Sequence, residues 1–185
     1  MRKCVRVCVM MALIFGLVSA VFAQAADVTP YQTWAKFKVG ATVKYKQTSE
    51  MVGMNTESEV VYSLLELTPE KAVVEMSGVT VMGGNKIEMP KTKLDYPAKM
   101  NEPDPASATE ATAPKADVKQ GEGEIEVAGG KLKCKTVESN ITQGDAVMTS
   151  KIWVSDEVPG SLVKSVTTME KPIKSTTTIT LVEKK

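Results

Sequence analysis

The chain has 185 residues, 43% of them hydrophobic, with 23 Lys plus Arg against 22 Asp plus Glu and no histidine. The lack of histidine excludes Ser-His and Cys-His nucleophile pairs and any imidazole zinc site. A formal charge of +1 leaves no basic excess for tracking phosphates, which argues against a nucleic-acid partner.

The N-terminus reads as an export signal, and residues 1–25 are expected to be removed. Arg2, Lys3 and Arg6 form a positive n-region before the uncharged apolar run Val7 to Ala23. The run ends at two acceptable cleavage points, after Ala23 (Val-Phe-Ala) or after Ala25 (Ala-Gln-Ala). At 17 residues it is shorter than the roughly 20 needed to span a bilayer, so the processed chain is expected not to cross a membrane. Cys4 and Cys8 precede or interrupt the run instead of following it, which speaks against a lipid-modified cysteine. Processing takes both arginines and leaves 20 Lys against 22 acids, a net charge of minus 2. The remainder, 26–185, is the right size for a single β domain in the periplasm or secreted medium.

The first element expected after the signal is a helical turn over Pro30 to Lys36, with Thr29 as N-cap and Pro30 at the first helical position. Tyr31, Trp34 and Phe37 then share one apolar side. A strand follows at Ala41 to Gln47. Glu57 to Leu67 and Ala72 to Val79 form a pair about Thr68-Pro69-Glu70-Lys71, which sets Leu67 against Ala72 and Leu65 against Val74. On the other face Leu64 meets Glu75 and Tyr62 meets Ser77. Val79 to Met82 turns at Gly83-Gly84-Asn85 into Lys86 to Met89. Pro90 denies that strand one ladder donor and suits a sheet edge. Lys91 to Met100 continues extended.

Residues 101–118, rich in Pro, Ala, Ser, Thr and Glu, read as a mobile loop. It is either an inter-strand excursion, the preferred reading, or a linker between two β halves.

Gly121 to Glu138 specifies a hairpin. Glu122, Glu124 and Glu126 alternate with Ile125 and Val127 on the first arm; Lys131, Lys133 and Lys135 alternate with Leu132 and Cys134 on the second. A two-residue loop at Gly129-Gly130 pairs Val127 with Leu132 and Ile125 with Cys134. Cys134, the one cysteine left after processing, can form no internal disulfide and falls on the apolar face, as a buried structural thiol would. Ala146 to Val154, Leu162 to Met169 and Ser175 to Val182 complete the strands, with Asp156-Glu157-Val158-Pro159-Gly160 and Lys171-Pro172-Ile173-Lys174 as turns. The pattern predicts an all-β fold: an antiparallel up-and-down sheet, curved into a half-barrel or barrel, with a short N-terminal helical turn.

Little catalytic chemistry is available. A two-carboxylate hydrolase needs no histidine, and Glu122, Glu124, Glu126, Asp156 and Glu157 supply carboxylates, but the alternation reads better as a solvated face opposite lysines. No phosphate loop, Walker lysine motif or calcium loop is present. Met51 and Met54 have the Met-x-x-Met spacing of thioether copper ligands, for which packing is the simpler account. Met76, Met82 and Met89 would suit a loosely specific apolar ligand if they line an open sheet face. Asn140-Ile141-Thr142 is a formal glycosylation acceptor.

Three segments carry a resemblance: Trp34 to Gly40 leading into a strand, Gly123 to Cys134, and Lys151-Ile-Trp-Val-Ser-Asp-Glu-Val-Pro-Gly-Ser-Leu-Val-Lys164. Together they resemble a diffuse group of bacterial exported β-proteins of unknown function, and more distantly the half-barrels of lipoprotein carriers, which shelter acyl chains. The resemblance implies an export route and an apolar ligand or lipid, and brings no catalytic residue. The expected function is therefore an exported non-catalytic β-domain, without metal or cofactor, that binds an apolar small molecule or lipid. The alternative is a structural or protein-interaction module of the envelope. Ligand-contacting residues cannot be picked from strand parity, and Trp34 and Trp153 suit a core equally well.

Overall fold

A computed structural model describes residues 28–99, 115–143, 146–171 and 173–185. The signal segment and most of the 101–118 stretch lie outside the described residues. The helix α1 (Pro30–Ala35) begins in a capping box: the Thr29 side chain accepts from the Gln32 amide at 3.3 Å, and the Gln32 side chain accepts from the Thr29 amide at 2.8 Å. Pro30 fills the first turn, where its missing N–H costs nothing, and Trp34 is buried.

Nine strands follow among the described residues: β1 (Thr42–Met51), β2 (Met54–Leu67), β3 (Lys71–Met82), β4 (Asn85–Pro97), β5 (Lys115–Val127), β6 (Gly130–Gln143), β7 (Ala146–Val154), β8 (Leu162–Met169) and β9 (Ser175–Lys184). They form one antiparallel sheet in the order β4-β3-β2-β1-β9-β8-β7-β6-β5. Two meanders are joined where β1 pairs β9, and β4 and β5 are the edges. A single buried cluster unites Ala72 and Val74 of β3 with Leu132 and Cys134 of β6, six places apart in the sheet, so the sheet curls around its apolar face. Trp34 from α1 and Val158 from the β7–β8 connection plug that cluster at one end.

The hairpin at Gly121 to Glu138 forms with its acidic and basic positions on a common face, but the loop is Ala128-Gly129, not Gly129-Gly130. Both residues have positive φ, +52 and +74°, and Val127 pairs with Gly130. Ile125 therefore faces Leu132, and Gly123 faces Cys134. Gly121 sits opposite Thr136, where a Cβ would come within 3.0 Å of the Thr136 hydroxyl. The β6–β7 ladder stops at Lys135 and Val154, so the hairpin tip runs on past β7 and carries Leu132 and Cys134 into the core.

Three further expectations are corrected. A bulge at Leu65 pairs Leu64 with Val74 and Tyr62 with Met76, which buries Leu64 completely and leaves Leu65 40% exposed. Ala72 to Val79 and Val79 to Met82 are one continuous strand, β3. Residues 115–118 begin β5 and are not loop. Pro90 lies in the edge strand β4, as its missing donor requires.

Candidate functional site

The inner face of the sheet, the one that carries the core, differs from end to end. At the α1 end it is filled. Val43, Leu64, Val74, Val163 and Leu181 are at most 1% exposed, and the Trp34 ring rests on Gly160, where an added Cβ would lie 3.2 Å from it. Positive φ at Gly160 and at Ser161 folds the β7–β8 connection back over the cluster. Tyr45 extends this packing: its hydroxyl donates to the Leu162 carbonyl at 2.9 Å, and its ring meets Tyr62 edge-on at 5.9 Å. Burial, then the neighbouring Tyr62, pushes the Tyr45 hydroxyl far above the ordinary phenol range. Burial, then Tyr96, pushes Tyr62 up to about 12.

Toward the hairpin tips the same face changes character. A row of hydroxyls crosses six strands in direct register: Ser139 on β6, Ser150 on β7, Thr167 on β8, Thr177 on β9, Ser49 on β1 and Thr56 on β2. Ser150 bonds Thr167 at 3.1 Å, and Ser49 bonds Thr177 at 3.1 Å. Ser139 is 2% exposed and its hydroxyl has no hydrogen-bond partner. Nearer the tips, Met148 pairs with Met169 and Met51 pairs with Met54, all outside the buried cluster.

The β3–β4 arm leaves its inner face uncovered. Met76, Gly78 and Met82 on β3, with Ile87, Met89 and Leu94 on β4, are half-buried or exposed. Met82 is 42% and Ile87 50% exposed. At Gly78 a Cβ would overlap the Glu59 carbonyl and the Met89 methyl, so the glycine lets Met89 lie flat on the sheet. The three methionines singled out in the sequence thus share one uncovered face and stay out of the dry core.

The remaining candidates do not converge. Asp156 pairs with Lys36 at 2.6 Å and Glu157 approaches Lys184 at 4.0 Å, both at the α1 end. Glu122, Glu124 and Glu126 face Lys135, Lys133 and Lys131 along the exposed edge hairpin. Met51 and Met54 flank the β1–β2 turn, and Asn140 is exposed on β6. Trp153 lies between the ammonium groups of Lys151 and Lys164, 5.2 and 5.5 Å from its ring. Cys134 is buried; burial, then Glu157, raises its thiol above the usual range, which keeps it an unreactive thiol. On the outer face Asp117, Lys119, Glu138, Asn140 and Lys151 border a depression of about 290 Å³. Its walls are polar and carry the Glu138–Lys151 pair at 2.6 Å.

No protein-family model matches this chain, and no curated protein matches it. Two solved structures are similar to it. A predicted exported protein with a YmcC-like fold from Bacteroides fragilis is 14% identical, over 80% of this chain and 96% of its own, with a TM-score of 0.45. A predicted lipoprotein from Parabacteroides distasonis is 16% identical, over 86% of this chain and all of its own, with a TM-score of 0.46.

Proposed function

We propose that the processed chain is an exported, non-catalytic β-domain that holds an apolar ligand or lipid against the uncovered part of its inner face, in the periplasm or outside the cell. The export signal at residues 1–25 supports the location. The observation that carries the ligand is the β3–β4 arm, where Met76, Met82 and Met89 share a face with Ile87 and Leu94, Met82 and Ile87 being exposed and the other three half-buried. Methionine suits such a surface because its unbranched, polarizable side chain adapts to ligands of different shape.

Strand addition, the natural route to a protein partner for an open sheet, is opposed at both edges. Edge strand β4 carries Lys86, Lys91 and Lys93 as well as Pro90, and edge strand β5 carries Lys119, Gly121, Glu122 and Gly123. Charge, proline and glycine are what blunt an edge against pairing.

The test is native mass spectrometry of the mature protein purified gently from its own host. A lipid-sized mass released by organic solvent is expected. A clean apo mass from folded, monomeric protein would overturn obligate carriage and turn attention to envelope protein contacts.

A further inference from the structure

With no histidine in the chain and Cys134 buried at the α1 end, methionine is the soft ligand the processed protein can still offer to a metal. Thioether sulfur selects soft cations, Cu(I) among them, over hard ones. Met51 and Met54 do not meet the other residues singled out in the sequence. Strand pairing instead sets them in line with two methionines from the far meander.

The row nearest the hairpin tips runs Ile141 on β6, Met148 on β7, Met169 on β8, Ser175 on β9, Met51 on β1 and Met54 on β2, each in direct register with the next. Residues in direct register project to the same side of a sheet, here the inner one. Met148 and Met169 are therefore neighbours, as are Met51 and Met54, with Cα atoms about 5 Å apart within each pair. Ser175 alone stands between the pairs, so Met169 and Met51 are two strand spacings apart, roughly 10 Å. Its short side chain leaves the space above it to its neighbours, and the curl of the sheet tilts them toward one another there. The unbranched methionine side chain adapts to fill such a gap.

Exposure and charge point the same way. Met54 is 47% exposed, and Met51, Met148 and Met169 are half-buried outside the buried cluster, so none is sealed in the core. The next row inward runs from Val118 and Ser139 through Ser150, Thr167, Thr177, Ser49 and Thr56 to Met82 and Asn85. None of the residues named in these two rows is charged. Neutral ligands offset no charge, so such a site favours a monovalent ion over a divalent one.

We infer that the tip end of the inner face is a site for a soft monovalent cation of the Cu(I) type, held by the sulfurs of Met148, Met169 and Met51, with Met54 on its solvent side. The inference does not rest on what the β3–β4 arm holds.

The experiment titrates the whole processed chain with Cu(I), kept reduced by ascorbate, in competition with a chromogenic Cu(I) chelator. In parallel, Ag(I), a redox-inert ion of the same softness, is added while the methionine methyl signals are followed by NMR. One Cu(I) per chain is expected to leave the chelator. The methyls of Met51, Met148 and Met169 should shift on Ag(I), and those of Met76 and Met89 on the β3–β4 arm should stand still. Met148→Leu/Met169→Leu, which conserves side-chain volume, should lose the ion to the chelator, whereas Met76→Leu/Met89→Leu should hold it as the wild type does. No Cu(I) taken from the chelator overturns the site, and so does retention of the ion by Met148→Leu/Met169→Leu. Methyl shifts on the arm in place of the tip overturn it as well, and these are read on the wild type, independently of whether a variant folds.

Discussion

The two ends of the inner face are built on the same strands and the same antiparallel ladder, yet one is an apolar core and the other buries a row of hydroxyls. At the α1 end, Leu64, Leu181 and Val163 project from β2, β9 and β8 under a plug of Trp34 and Val158. Only a few residues further along, β9 offers Thr177 and β8 offers Thr167 and Ser165. The backbone is the same, so the difference is one of side-chain volume. Large aliphatic groups meet across the curl and expel water, whereas hydroxyls bond within their row.

If this contrast is right, the largest loss of stability comes from removing the plug. Trp34→Ala is expected to cost about 3–5 kcal/mol in chemical denaturation, since the ring is 4% exposed and rests on Gly160. A loss below about 1 kcal/mol would mean that the α1 end is not the core of the molecule. Gly78→Ala tests the uncovered arm in the same assay. It is expected to cost about 2 kcal/mol, because its methyl group meets the Glu59 backbone of β2, which cannot rotate away. Apolar ligand affinity should fall with it, as Met89 is pushed off the sheet.

The tyrosines sharpen the boundary between the two ends through pH. Both Tyr45 and Tyr62 are raised by burial, Tyr62 to about 12, so both are held neutral in the folded state beyond the pH at which an unfolded chain ionises. Their contribution is fully present below about pH 10, the unfolded phenol value, and is lost as pH rises from there through the folded values. Stability should therefore decline above pH 10. Tyr62→Phe should flatten that decline between pH 10 and 12.

Much of the sheet was legible because strand alternation and turn residues act locally. The capped helix turn at Thr29-Pro30, the edge proline Pro90 and the final three strands stand where the residues imply. What misled were positions decided across strands. Leu65 looks as apolar as Leu64, and only the bulge against Val73 and Val74 determines which is buried. Gly129-Gly130 looks like the better turn pair, but the pairing along both arms puts the loop at Ala128-Gly129 and Gly121 opposite Thr136. The methionine face was readable as composition, since Met76, Met82 and Met89 stand out in number. The hydroxyl row was not, because its members come from six strands and only pairing brings Ser139, Ser150 and Thr167 together.

The smallest effect separates packing from charge as the device that closes the α1 end. Lys36, the C-cap of α1, reaches Asp156 on the β7–β8 connection at 2.6 Å and so ties the two pieces of the plug together. The hydrogen bond from Lys36, and then its charge, holds the Asp156 carboxyl below the usual range. A depressed carboxyl contributes stability above its unfolded value and loses it as pH falls through the folded one, so any effect lies on the acid side. The side chains are 50% and 72% exposed, however, and solvent screens such a pair. Asp156→Asn is therefore expected to cost under about 0.5 kcal/mol at pH 7, with the difference from wild type vanishing in high salt and at low pH. A cost approaching that of Trp34→Ala would mean that charge, not the apolar contact of Trp34 with Gly160, seats the plug.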